Sequence, residues 1–285
     1  MRRGGITILV VGLLEQDSGK TWLGTSIAYI GAEQVKTGAY KPVGGFNVWY
    51  SYRALRESLN KYSVIAGGDA LNYARITGQD IREVNPIALA LAFPDPASLS
   101  GAASYLTRAS SLQSSLIMAR FSTPTSTTHY LAADNLKLLP AQVKNEVREI
   151  AEKLKAIPVN ADQILSLLQN PIIEDALNTV LKGIVDSNEL VVIESFNNAL
   201  LPYMGLDLDL IDFIIVTAPG KALLYSGDKL RLLDRLMSLK RYSRVDQAYP
   251  LLGKPLTKTD LPPATTIEEF WEKMRSNPLI KKILP

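Results

Sequence analysis

Apolar residues along the chain fall into short β-branched runs separated by stretches with helical spacing. Ile6, Ile8, Leu9, Val10 and Val11 form one such run, closed by Gly12, and predict a buried strand; a helix is expected from about Lys20 to Ala32. Gln34 to Val43 reads as a second strand, with Lys41 held extended by Pro42 and the strand broken by Gly44-Gly45. Leu190-Val191-Val192-Ile193-Glu194 and Phe213 to Thr217 are two further buried runs, the latter followed by Ala218-Pro219-Gly220 and a helix to about Leu239. Strands alternating with helices predict an α/β fold, a mostly parallel sheet with helices on both faces.

Between these runs the pattern changes. The aromatic cluster Trp49, Tyr50 and Tyr52 with Leu55 reads as packing, and a helix is expected from Asp69 to about Gly78. Ile81 to Pro96 alternates apolar residues between prolines, as an extended segment crossing a sheet edge would. From about 97 to 188 a mainly helical insertion is expected. Ser114 to Arg120 and Thr127 to Ala132 read as two strands, although helix fits the first as well. Pro140 suits a helix start, and Val143, Val147, Ile150, Leu154 and Ile157 then form one apolar stripe. Two more helices, at about 161–168 and 171–184, each follow an Asn able to cap, and Thr266-Ile267-Glu268-Glu269 is a capping box for a last helix. With no repeat or linker, 285 residues read as a single domain carrying that insertion.

Composition narrows the chemistry. Hydrophobic residues make up 47% of the chain, enough for a substantial core, and a net charge of +3 without basic clusters argues against nucleic-acid binding. With no cysteine, thiol nucleophiles and zinc-cysteine sites are excluded; the single histidine, His129 in the Thr-rich run STPTSTTHY, excludes a histidine metal cage and reads as a surface loop or hairpin residue. No stretch approaches the ~20 apolar residues of a spanning helix, and Met1 to Gly5 leads into a strand without the pattern of a signal sequence. A cytoplasmic protein without membrane contact is the expectation.

The candidate chemistry sits between the first strand and the first helix. Asp17-Ser18-Gly19-Lys20-Thr21 opens that helix, where unpaired backbone N–H groups and the positive end of the helix dipole attract anions. In the phosphate loop G-x-x-x-x-G-K-[ST] the lysine reaches the β- and γ-phosphates and the hydroxyl ligates Mg²⁺. Here six residues separate Gly12 from Gly19, and Leu14 stands where the first glycine belongs. Lys41, at the carboxyl end of a strand, is either a ligand-binding lysine or an edge lysine with its ammonium in water. Asp69 is either a ligand or a helix cap. Glu194 ends a strand as a Mg²⁺-holding carboxylate would, and equally as any strand ending in a charge.

Taken in order, Gly19-Lys20-Thr21, Lys41-Pro42-Val43, Asp69-Ala70, Val84-Asn85-Pro86, Ile193-Glu194 and Pro250-Leu251-Leu252-Gly253 resemble dethiobiotin synthetase and its P-loop relatives. The resemblance covers residues 6–96 and about 189–255. It implies a P-loop NTPase-like fold, with Asp17, Ser18 and Gly19 in the phosphate loop and Lys20 and Lys41 on phosphate oxygens. It further implies Thr21, Asp69 and Glu194 at Mg²⁺, and Pro250, Leu252 and Gly253 beside the nucleotide base. The implied activity is ATP- and Mg²⁺-dependent phosphorylation of a carbamate or carboxylate followed by ring closure or ligation, in a homodimer. Where the family carries E-G-A-G-G this chain has Glu194-Ser195-Phe196-Asn197-Asn198, which leaves open whether the acceptor, a small amine or carboxylate, is the family's own diamine. The lost glycines also leave open a non-catalytic nucleotide-sensing module, like those attached to phosphate acetyltransferases.

Overall fold

The computed structural model describes residues 5–237 and 244–284. The lead-in Met1 to Gly4 and the expected helix end at Leu239 lie outside them. The fold is α/β, and its described residues divide into two compact units, one within Met1–Pro42, Asn72–Asp80 and Asn178–Pro285, the other within Val43–Leu71 and Ile81–Leu177.

The first unit is built on a six-stranded sheet in the order β11-β10-β9-β1-β8-β2. Its strands are β1 (Ile6–Gly12), β2 (Thr37–Tyr40), β8 (Leu190–Glu194), β9 (Phe213–Ala218), β10 (Lys221–Ser226) and β11 (Thr257–Asp260). β2, β8, β1 and β9 run parallel, whereas β10 and β11 are antiparallel additions at one edge. The parallel strands are apolar without alternation because a sheet covered on both faces buries every side chain, and β8 is buried throughout. The helix α1 (Lys20–Ala32) follows β1 as expected. The helix Ile267–Met274 starts at Thr266, whose hydroxyl caps Glu269 N; its Trp271 stacks on Tyr29 at 4.7 Å and donates from Nε1 to Thr25 Oγ1 at 3.0 Å.

The second unit carries its own sheet, β3-β4-β5-β6-β7, from β3 (Val43–Asn47), β4 (Ile87–Leu91), β5 (Leu116–Ser122), β6 (Thr127–Ala132) and β7 (Ile157–Val159). Leu55 and Leu59 of the helix α2 (Tyr52–Tyr62) and Val147 and Ile150 of the helix Ala141–Lys153 fill one core with Ala88, Ala90, Ile117 and Met118 of the strands. β5, β6 and β7, from the 97–188 segment, therefore share a sheet with strands that precede them in the chain.

Several local expectations are corrected. Gly44 and Gly45 do not break a strand; they lie inside β3, paired in parallel with Ala88 and Leu89, and the break falls at Lys41-Pro42, where the chain leaves one sheet for the other. Ile81–Pro96 is not an edge segment: after a helical turn at Ile81–Val84 it supplies β4, between β3 and β5. Pro219-Gly220 forms a two-residue hairpin turn, Gly220 at φ 75°, so a strand and not a helix follows; the helix begins at Asp228. Ile157 leaves the apolar stripe because Lys155, at φ 51°, turns the chain out of the helix into β7. His129 is buried on β6, and Trp49, Tyr50 and Tyr52 are exposed, so these aromatics are not core.

Candidate functional site

β1 ends in Gly12, and the chain returns over it before α1 begins. A Cβ at Gly12 would lie 2.1 Å from Ser18 Oγ and 2.9 Å from Lys20 Nζ, so only glycine lets the loop settle on the strand end. The close approach that the common motif spacing assigns to position 14 is thus made at position 12, and Leu14 is left exposed. Gly19, the residue before α1, has φ 84°, and Asp17, exposed, has φ 55°; both are left-handed and turn the loop so that backbone enters the helix at its N-terminus. Ser18 and Lys20 are buried, and Lys20 Nζ donates to Ser18 Oγ at 3.0 Å. A lysine held at the positive end of a 13-residue helix, next to backbone N–H groups, is an anion-binding arrangement.

Sheet register brings the other residues to the same strand ends. In the parallel pairing, Tyr40 of β2 stands against Ile193 and Val10 of β1 against Glu194, which sets Lys41, one residue past β2, beside the last residue of β8. Glu194 is 1% exposed. Its Oε1 accepts from Thr21 Oγ1 at 2.9 Å and from Lys41 Nζ, and its Oε2 accepts from Tyr73 Oη at 2.9 Å. Burying a carboxylate this deeply is costly unless a cation and hydrogen bonds compensate it, and here it has one of the former and two of the latter. The lysine side chain is also buried, at 7% exposure, so neither charge of the pair is left in water. The reading of Lys41 as a solvated edge lysine is overturned.

After Glu194 the backbone turns at once. Ser195 N donates to Val10 O at 3.0 Å, Ser195 Oγ donates to Ala199 O at 2.6 Å, and Asn197 takes φ 47°, a left-handed position in the segment expected to be glycine-rich by resemblance. Pro250 lies in the turn Tyr249–Leu251, Leu252 is buried, and Gly253 has φ 69°. Asp69 stands in the first turn of the helix α3 (Gly68–Thr77), on the stretch that belongs to the second unit. The structure thus joins Thr21, Lys41 and Glu194 at the end of β8, and Ser18 and Lys20 at the end of the neighbouring strand β1.

Tyr73 is the participant that sequence reasoning overlooked. Its ring is fully buried, and its hydroxyl fits against α1 only because residue 24 is glycine. The available signal was spacing: Tyr73 follows Asp69 by four residues, about one helical turn further along the same helix.

Whether this cluster suits Mg²⁺ follows from its donors. Thr21 and Glu194 offer a hydroxyl and a carboxylate already in contact, the pair a phosphate-bound Mg²⁺ requires, because that ion keeps waters and phosphate oxygens for most of its shell. Among the described residues no group of three His, Cys, Asp or Glu could hold a metal alone, so any ion here would depend on phosphate oxygens. Lys41 neutralises the carboxylate meanwhile, and an arriving phosphate would offer its ammonium a second anion. The residues fit the ion. No helix among the described residues is long and apolar enough to cross a membrane. In comparisons with protein-family models, curated proteins and solved structures, nothing matches this chain.

Proposed function

We propose that the first unit binds a nucleoside triphosphate with Mg²⁺ and catalyses phosphoryl transfer of the dethiobiotin-synthetase type to a small amine-derived carbamate or to a carboxylate. The observation that carries this reading is the convergence of Thr21, Lys41 and Tyr73 on buried Glu194, beside a loop that lays Lys20 over the end of β1. Backbone N–H groups of the loop and Lys20 would take the terminal phosphates, Lys41 would stabilise charge on the transferred group, and Thr21 and Glu194 would hold Mg²⁺. The ion would supply charge neutralisation. Chemistry of this kind is mostly positioning and electrostatics, which asks for fixed cations and not for a thiol or an imidazole.

The turn Ser195-Phe196-Asn197-Asn198 favours a second reading, a module that binds nucleotide and changes shape without turnover, since Phe196 adds bulk where the resembling family admits its acceptor. Isothermal titration of ATP-Mg into the protein and into Lys20→Ala tests the shared part of both readings: saturable binding lost in the variant is expected, and equal affinity would refute them. Phosphate release with bicarbonate and a diaminopelargonate-like diamine, compared with small carboxylates, then separates enzyme from sensor.

A further inference from the structure

The second unit contains a cavity of about 560 Å³ that plays no part in the proposed phosphate site. Its floor is formed by Leu55, Val147 and Ile150, which also belong to the core, and its walls include Trp49 and Tyr52. That volume falls within the range of small-molecule sites, which are mainly apolar with a few placed polar groups. Trp49 is 69% exposed and Tyr52 43%, a large aromatic surface for a protein to leave in water. Nor is it loosely held: Asn47 Oδ1 accepts from Trp49 N at 3.0 Å, fixing the turn that presents the indole, while Tyr52 Oη donates to Glu146 Oε1 at 2.9 Å.

Glu146 is the charged group in the lining, and its bonding is one-sided. Oε1 accepts from both Tyr52 Oη and Arg56 NH1, whereas Oε2 accepts no hydrogen bond among the described residues. The bond to that carboxylate, and then burial, raise the pKa of the Tyr52 phenol, with Arg56 opposing. An exposed, electron-rich indole, a carboxylate oxygen that accepts no hydrogen bond among the described residues, and an apolar floor together match one ligand chemistry.

We propose that this cavity is a binding site for an organic cation with an apolar body, an aryl- or alkylammonium whose charged head meets Glu146 and the exposed Trp49 indole while its body lies on Leu55, Val147 and Ile150. Cation–π attraction and the carboxylate select the charge, and the floor selects the body. The site lies within the second unit and does not rest on the phosphate-binding reading.

Phenethylammonium is the probe, with 2-phenylethanol as its neutral and 3-phenylpropionate as its anionic counterpart, each titrated into the full chain by calorimetry and followed by tryptophan fluorescence. The ammonium should bind saturably, about tenfold more tightly than the alcohol, and the carboxylate should not bind. Glu146→Gln keeps an acceptor for Tyr52 but removes the charge, so it should bring the ammonium down to the affinity of the alcohol and leave the alcohol unchanged. Trp49→Leu should weaken the ammonium and abolish its fluorescence response. The proposal is overturned if the three probes bind alike, if Glu146→Gln leaves the preference for the cation intact, or if phenethylammonium does not bind at about 10 mM.

Discussion

Replacing Gly24 with alanine should destabilise this protein, although on helix propensity alone the change gains stability. Gly24 lies inside α1, where glycine is worth ~1 kcal/mol less than alanine. A Cβ built there falls 2.0 Å from Tyr73 Oη and 3.2 Å from Tyr73 Cζ, with Val192 Cγ1 at 3.6 Å. The ring is fully buried and cannot swing into solvent, so the phenol must shift and its bond to Glu194 must lengthen or break. Overpacking of this kind costs ~1–3 kcal/mol, and loss of a hydrogen bond to a charged group ~1.5–3 kcal/mol. Set against the propensity gain, the net loss is about 1.5–5 kcal/mol. Tyr73→Phe should cost ~1.5–3 kcal/mol by stripping Glu194 Oε2 of its donor, but it also removes the atom that a Cβ at position 24 would meet. Adding Gly24→Ala to Tyr73→Phe should therefore cost under ~1 kcal/mol, leaving a coupling of about 2 kcal/mol in a urea-denaturation cycle. If Gly24→Ala is neutral or stabilising, or costs as much in the Tyr73→Phe background as in the wild type, then Tyr73 is not seated as described and the glycine has another reason to be there.

Two further outcomes are expected. Lys41→Met should destabilise by ~3–5 kcal/mol in chemical denaturation at neutral pH, because it leaves Glu194 buried without its cation; a loss under ~1 kcal/mol would mean that water reaches the carboxylate. His129 has its pKa lowered to about 4, first by burial and then by the charges of Arg120 and Arg82. The folded state thus resists a proton that the unfolded chain accepts below ~6.5; this group costs no stability above that pH, and stability falls as pH drops toward the folded value. Between pH 7.5 and 4.5 the loss is about 2.5 kcal/mol, and a His129→Gln variant should lose that much less than the wild type over the same interval. Equal pH dependence in the two proteins would refute the assignment.

Much of the first unit could be read along the chain. Ile6–Gly12, Leu190–Glu194 and Phe213–Ala218 are local apolar runs, and a strand buried on both faces requires little more than such a run. Glu194 was legible as a strand-terminal carboxylate and Lys20 as a loop lysine, because both follow from residue type and position within one element. The second sheet was not legible. β3 is Val-Gly-Gly-Phe-Asn, which local propensity reads as a break, and only the backbone of β4, some forty positions away, supplies the hydrogen bonds that make it a strand. The hairpin at Pro219-Gly220 was missed for a related reason: Lys221 to Ser226 carries residues that suit helix or strand, and pairing with β9 decided between them.

What residue order alone determined was the α/β class and the first helix, together with the residues proposed to carry phosphate chemistry, since each depends on neighbours within a turn or a strand. Tertiary structure decided which of them meet. Register between β2, β8 and β1 set Lys41 and Glu194 side by side although 153 positions separate them, and α3 brought the unforeseen Tyr73 to the same carboxylate. It also turned a histidine read as surface into a buried one, and aromatics read as core into an exposed wall. The physical reason is common to all: hydrophobic pattern records how much of a side chain is buried within its own element, whereas the partner of a buried charge is chosen by strand pairing, which the local sequence does not encode.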